Sequence, residues 1–424
     1  MRTIGLLWLL LAFTCTSSGG QRSPVVSTDS TMILERLVDE AIANNPEIQG
    51  SLHQMISTDA LVPQAGALDP PELTFMREMM PDFRYNDAMY SRIGIMQMIP
   101  FPGKLSAKQE FAQIVSDHAH HEHMEKMFEI VSKVKQAYIE LWFVQQSIGL
   151  NRENVHLLHQ MDAAARIRYG VGETEQQDVL RIAVELAKTE NQTLALRQQE
   201  LSAKAMLMAL LNRQMPDTLG MATLPPETVF SVSLSSLERM ALEDRSMVQH
   251  DSVGVEQSKL SLSLARKEYL PDFKIGLERV TSPMTGLNGW TISAGITIPF
   301  APWSLGKSTG MVDEAEAALS RSKDTYRATQ NMVLSNVRDL YYKTASTQQQ
   351  SVVYRSSILP RSRQALDATL TAYQNGRTSF LMLIDAYRTL VDLHGESLMV
   401  RMQFEQSVAQ LEKEVGYFDF TRVE

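Results

Sequence analysis

The chain carries one half-protein twice, and that constrains its architecture more than any other feature. Ile99-Pro-Phe-Pro-Gly103-Lys104 returns as Ile298-Pro-Phe-Ala-Pro-Trp-Ser-Leu-Gly306-Lys307. Tyr169-Gly-Val-Gly172-Glu-Thr174 returns as Tyr373-Gln-Asn-Gly376-Arg-Thr378. Val134-Lys-Gln-Ala-Tyr138 returns loosely as Val337-Arg-Asp-Leu-Tyr341, and Ala41-Ile42 as Ala241-Leu242. A duplicated unit of this size is half a molecule, not one coil of a solenoid. The expected organisation is a first repeat over 31–211, a connector over 212–237 rich in Pro, Ser and Thr, a second repeat over 238–416, and a loose tail over 417–424.

Proline sets the scale of the helices. None falls between Pro102 and Pro216, and none between Pro302 and Pro360. Since proline breaks helix interiors, these stretches predict very long helices. From Gly103 to Arg168 the reach would be on the order of 100 Å, far more than a compact globule needs. Ile130, Val134, Ala137, Leu141, Val144 and Ile148 alternate steps of four and three, the rhythm of a coiled-coil seam. The same rhythm runs through Val179, Ile182, Leu186, Thr189, Thr193 and Leu196, and through Leu390, Leu393, Ser397, Val400, Phe404, Ser407 and Leu411. Small and polar members suit a wide, many-helix assembly better than a dry zipper.

Four segments, near Glu72–Met80, Met89–Ile99, Asp272–Thr281 and Trp290–Ile298, have strand character and form one hairpin per repeat. Trp290, Ile292, Ala294, Ile296 and Ile298 alternate with Thr291, Ser293, Gly295 and Thr297, the apolar-out, polar-in pattern of a barrel strand. The strand from Met89 alternates less cleanly, because Gln97 falls in register with the apolar set. Membrane barrels need about eight strands, so several chains would have to pool theirs.

The N-terminus, with Arg2, an apolar run from Ile4 to Phe13 and small polar residues to Gly20, has the layout of a secretory signal peptide over 1–20. Cys15, the only cysteine, stands where an acylated residue would, behind the atypical Ala12-Phe13-Thr14. Without a cysteine pair there is no internal disulfide, and no cysteine nucleophile is expected. The net charge of −9 and the absence of a Lys/Arg block argue against nucleic acid as a partner. No apolar stretch beyond the leader is long enough for a transmembrane helix.

The ordered set of landmarks resembles the TolC family of bacterial outer-membrane efflux channels. It extends from Ala41-Ile-Ala-Asn-Asn-Pro-Glu-Ile48, through Gln97-Met-Ile-Pro-Phe-Pro-Gly-Lys104, to the Tyr373-Gln-Asn-Gly376 turn. The resemblance implies a mainly α fold with a small β part: a long-helix α-barrel in the periplasm, and a trimeric twelve-stranded transmembrane β-barrel to which each chain gives four strands. Phe101-Pro-Gly-Lys104 is similar to the branch that exports heavy-metal cations. The implied role is an outer-membrane exit duct of a tripartite efflux system. Its implied partners are a periplasmic adaptor and an inner-membrane transporter of the proton-coupled RND type. No enzyme activity and no cofactor are expected: neither a Gly-x-x-x-x-Gly-Lys loop nor a His-Glu-x-x-His pair occurs. The competing readings are a protein-secretion duct and a periplasmic coiled-coil scaffold or adaptor without a pore.

The resemblance implies acidic rings just past the glycine-marked turns, which points to Asp178 after Gly172 and Asp385 after Gly376 as pore or gate residues. Carboxylates ringed about a narrow mouth attract cations; alternatively, each aspartate complements the dipole of the helix it opens. Met382 stands where a further aspartate is common. Gly172, Gly376 and Arg377 are the candidates for docking the adaptor, with Arg168 beside them. His118, His121 and Glu122 share one helical face, and His120 and His123 form a second pair, which makes weak metal contact a further expectation. Met76, Met79, Met80, Met89, Met96 and Met98 gather around the first hairpin, read as irregular packing and lipid contact, with soft-cation binding as the alternative.

Overall fold

The computed structural model describes residues 31–78, 89–214, 219–224, 230–282, 285–299 and 301–417. The expected leader with Cys15, the tail past Tyr417, Met79 and Met80 lie outside the described residues.

The first half runs β1 (Thr31–Met32), α1 (Leu34–Asn44), α2 (Pro46–Asp59), α3 (Leu61–Ala65), β2 (Glu72–Glu78), β3 (Tyr90–Ile99), α4 (Lys104–Gly170) and α5 (Gln176–Leu210). After β4 (Met221–Ala222), the second half runs α6 (Leu234–Asp244), α7 (Ser246–Lys267), β5 (Phe273–Thr281), β6 (Asn288–Ile296), α8 (Leu305–Val353), a π-helical turn (Tyr354–Ile358), α9 (Leu359–Gln374) and α10 (Phe380–Val415). The stretch read as a connector therefore contains β4 and the first turn of α6. Strand β4 pairs in parallel with β1, and the Tyr138 hydroxyl on α4 fastens the pair, lying 2.8 Å from the Met32 and Thr223 carbonyl oxygens.

Helix α4 has 67 residues, about 100 Å at 1.5 Å per residue. In the second half the rod is longer than proline counting implies, because helical backbone continues through Pro360. Proline lacks the donor and pushes against the carbonyl one turn back; the adjoining π turn widens the helix and relieves both defects.

The strands form one antiparallel sheet in the order β2-β3-β5-β6, so the two hairpins join through β3 and β5. The Phe101-Pro-Gly-Lys104 phrase explains itself at the strand-to-helix joint. Gly103 takes φ 91°, a left-handed conformation that favours glycine. Lys104, 3% exposed, donates to the Leu270 carbonyl at 3.0 Å and pairs with Asp272 at 3.0 Å, while Asp272 also accepts the Phe101 N–H at 2.9 Å. Its counterpart Lys307 is exposed, so the buried lysine anchor belongs to the joint of the first half.

The repeated landmarks are core positions. Ala41 and Val134 sit in one apolar cluster with Ile130, Tyr138 and Leu207; Ala241 and Val337 sit in the equivalent one with Val333, Leu411 and Val415. Every member of the Ile130–Ile148 seam is buried. Polar seam positions pair with each other: Asn151 donates to the Thr189 carbonyl and to Thr193 at 2.8 Å, and Thr344 donates to Ser407 at 2.9 Å.

Candidate functional site

Three regions bear on function: the sheet, the helical tip and the upper part of α4. Register puts Leu73 and Phe75 of β2, Ile93 and Ile95 of β3, Ile275 and Leu277 of β5, and Trp290, Ile292 and Ile296 of β6 on one face. All are at least 41% exposed. An apolar face open across four strands is unstable in water and suited to lipid. Arg279 lies on the Trp290 ring, 5.2 Å from its centroid, an aromatic with a polar neighbour of the sort found at barrel rims. The opposite face carries Glu72, Thr74, Arg92, Lys274, Glu278, Thr291 and Ser293, with Arg92 3.2 Å from Glu78 and 3.7 Å from Glu278. Gln97 does stand in the apolar register, where its amide donates to the Asp69 and Met98 carbonyls, each at 2.9 Å. Met76, Met96 and Met98 lie on the polar face, so lipid contact does not account for these three. Among the described residues, strands β2 and β6 each keep one edge without a partner.

The tip is formed where α4 turns into α5 and α9 into α10. Both turns use one backbone device. Gly172 (φ 76°) donates to the Tyr169 carbonyl and Glu173 to that of Arg168; Gly376 (φ 71°) donates to the Tyr373 carbonyl and Arg377 to that of Ala372. These are Schellman caps, which need a left-handed residue and hence glycine. The turns are clamped together by Arg168, whose side chain is 13% exposed rather than solvated. It donates to the Tyr373 carbonyl at 2.8 Å and stacks on the Tyr373 ring at 4.7 Å. Thr174 and Asp178 face the Tyr373 hydroxyl, and burial pushes that phenol up. Beneath lies an apolar cluster from all four helices, including Leu158, Met161, Ile182, Leu366, Phe380 and Leu383.

The two candidate aspartates sit differently. Asp178 lies in the first turn of α5, where the dipole favours it, and accepts a hydrogen bond from Thr174. Asp385 lies beyond the first turn of α10, so the dipole does not explain it, and it is exposed. Arg377 is exposed, as are Ile167, Tyr169 and Val171, apolar residues that flank Gly172 and that sequence reasoning passed over. Their periodicity gave no warning, because only their failure to reach the core marks them.

The upper α4 histidines separate. His123 faces α2, its Nδ1 2.7 Å from Ser51 Oγ; His120 is exposed, its ring 6.0 Å from that of His121. His118 meets His250 of α7, a partner the sequence pattern did not suggest. Among the described residues, no three His, Cys, Asp or Glu side chains converge on a point that could hold a metal ion. Gly306-Lys-Ser308-Thr-Gly310 matches the Gly-x-Ser-x-Gly spelling of a hydrolase elbow. It lies inside α8 with Ser308 buried, not on the exposed strand-to-helix turn that chemistry requires. Among the described residues, no helix is long and apolar enough to cross a membrane.

Comparison with known proteins agrees with this geometry. The cobalt-zinc-cadmium resistance protein CzcC of Cupriavidus metallidurans is 20% identical over 406 residues, covering 95% of this chain and 94% of its own. Crystal structures of CusC (TM-score 0.79, 16% identity, 91% and 92% of the two chains) and of the open MtrE channel of Neisseria gonorrhoeae (0.76, 16%, 91% and 89%) share the fold. The family described as outer membrane efflux protein matches residues 37–213 and 237–417, one segment in each half. The chain belongs to that family: it is a TolC-type outer-membrane efflux channel, with a β-barrel in the outer membrane and a helical barrel reaching into the periplasm.

Proposed function

We propose that three copies of this chain form the exit duct of a tripartite efflux assembly whose cargo is divalent metal cations. The observation that carries the trimer is the four-stranded sheet with an apolar face and two edges unpaired among the described residues. A lone open sheet leaves backbone groups unpaired in lipid, where each costs several kcal/mol, and three such sheets close a barrel. Helix α5 supports the same reading. One of its stripes (Ile182, Thr189, Leu196) is buried within the chain, while a second (Leu180, Val184, Leu194, Leu201) is at least 58% exposed and fits a neighbouring copy.

In this reading the duct is passive and not an enzyme, and the energy comes from an inner-membrane RND-type transporter. A periplasmic adaptor docks on the tip around Gly172, Gly376 and Arg377, with Ile167, Tyr169 and Val171 adding apolar contact. Asp385 forms the acidic ring at the mouth, and Asp178 braces the turn beside it. The cation cargo rests on the full-length likeness to CzcC and on the carboxylates at the tip; drugs are the second reading, supported by the likeness in fold to MtrE.

A deletion strain challenged with cobalt, zinc, cadmium, nickel and copper salts beside dyes, bile salts and antibiotics separates the two. Metal sensitivity restored by the intact gene supports cation export, and sensitivity confined to amphipathic drugs overturns it. A detergent extract that contains only monomer overturns the trimer.

A further inference from the structure

Two of the nine histidines, far apart in sequence, meet ring to ring. His118 on α4 and His250 on α7 have centroids 3.7 Å apart at an interplanar angle of 43°. Two protonated imidazoles repel at that distance, so the contact disfavours charging both rings at once. Burial, and then His250, hold His118 below its ordinary value; burial, and then His120 and His250, do the same for His121. Neutral imidazole is the form that binds borderline cations.

The second histidine is also held in place. Its Nδ1 lies 2.9 Å from Asp251 Oδ1, and the other oxygen of Asp251 accepts from Thr329 Oγ1 of α8 at 2.5 Å. A carboxylate on one ring nitrogen, itself hydrogen-bonded, fixes the tautomer and leaves Nε2 as the coordinating atom, which is how metal-binding histidines are commonly oriented. Beside the pair, α4, α7 and α8 frame a half-open pocket of about 390 Å³ lined by Phe111, His118, Asp251, Ser258, Arg321 and Ser322. The lining mixes polar and apolar groups, and the space admits water.

We propose that His118 and His250 form a two-imidazole site for a borderline divalent cation of the zinc, cobalt and nickel kind, completed by waters from the adjoining cavity. A tetrahedral ion with bonds of about 2.0–2.1 Å sets its two nitrogens roughly 3.4 Å apart. Rings already in contact reach that spacing by side-chain rotation. Two protein ligands are fewer than a resident structural site uses, so the ion exchanges with solvent. While bound, it ties α4 to α7. The site stands on this geometry and does not depend on what the channel exports.

The test is titration of the untagged, detergent-solubilised trimer with Co²⁺ and Zn²⁺, read by calorimetry and by the visible spectrum of bound Co²⁺. The wild-type protein binds one ion per chain. His118→Gln and His250→Gln each weaken binding at least tenfold, and Asp251→Asn weakens it about 10- to 100-fold with the stoichiometry unchanged. His120→Gln, on the exposed side of α4, leaves binding as in the wild type. Trimer on native gels confirms that each variant folds. Unchanged affinity in the His118→Gln/His250→Gln double variant overturns the site, as does an equal loss in His120→Gln. Intact binding in a protein whose deletion strain shows no metal phenotype overturns cation export and leaves the site standing.

Discussion

Tyr169 and Tyr373 occupy the same place in two turns of the same backbone, each three residues before a left-handed glycine. Tyr169 is 47% exposed and Tyr373 is 1% exposed. The backbone device was duplicated, but the side chains have divided the work. The second turn is the anchor: its tyrosine fills the cluster of all four tip helices and receives Arg168 on its ring and its carbonyl. The first turn supplies that arginine and presents its own tyrosine, with Ile167 and Val171, outward. A duplicated motif therefore does not imply duplicated function at the tip. Whatever docks there meets a chemically different surface on each turn.

The largest expected effect follows from burial. Tyr373→Ala removes a fully buried aromatic from the tip cluster and should cost about 3–5 kcal/mol. Tyr169→Ala should cost no more than about 0.5 kcal/mol, as for an exposed surface residue. Hydrogen exchange of the tip peptides reads the difference directly, with fast exchange in the first variant and wild-type protection in the second. Equal protection in both would show that the two turns share the load.

This asymmetry marks where the sequence was readable and where it was not. Proline spacing and apolar period located α4 and the four strands to within a few residues and marked the seam of α5, because those signals are local and strong in long elements. The Gly172 and Gly376 turns were legible for the same reason, since only glycine readily takes the backbone they need. The burial of Tyr373 against the exposure of Tyr169 was not legible, because the motif around each is alike and the difference comes from which helices pack behind it. The His118–His250 contact was hidden in the same way: 132 residues separate the partners, and helix α7 brings them together. Helical periodicity grouped His118 with His121 and Glu122 but could not say which neighbour that face meets. Pro360 misled for a different reason. A proline normally ends a helix, and nothing in Tyr354-Arg-Ser-Ser-Ile358 announces the π turn that carries the chain past it.

The next effect tests the bridge between the turns. Arg168→Ala removes both the hydrogen bond to the Tyr373 carbonyl and the stacking on its ring, and should cost about 1–3 kcal/mol, concentrated at the tip. Arg168→Lys keeps the charge but not the planar fork, so it should recover only part of the loss. Full recovery by lysine would reduce the interaction to simple charge. Thermal melting of the trimer, with tip exchange alongside, distinguishes these outcomes.

A smaller pair of substitutions should behave alike, because it touches what the turns still share. Gly172→Ala and Gly376→Ala each force a side chain into left-handed backbone, at about 1–2 kcal/mol. An added Cβ meets nothing within 4 Å at Gly172 and only Arg168 Nη2 at 3.6 Å at Gly376, so sterics add little to either. A clear inequality between the two variants would mean that the caps, and not just the side chains, have diverged.

The smallest effect on stability, and the most telling for function, separates the aspartates. Asp178→Asn weakens a first-turn dipole interaction and should cost about 0.3–1 kcal/mol while leaving conduction largely intact, because that carboxylate is already occupied by Thr174. Asp385→Asn should leave the melting temperature unchanged, since the residue is exposed and lies past the first turn. Neutralising three symmetry-related charges at a mouth should, however, lower its preference for cations in a planar bilayer. The reverse pattern, with conduction sensitive to Asp178 and stability to Asp385, would exchange the roles of the two turns. If neither variant alters ion preference, the constriction lies elsewhere in the duct, and both carboxylates belong to the scaffold that holds the turns in place.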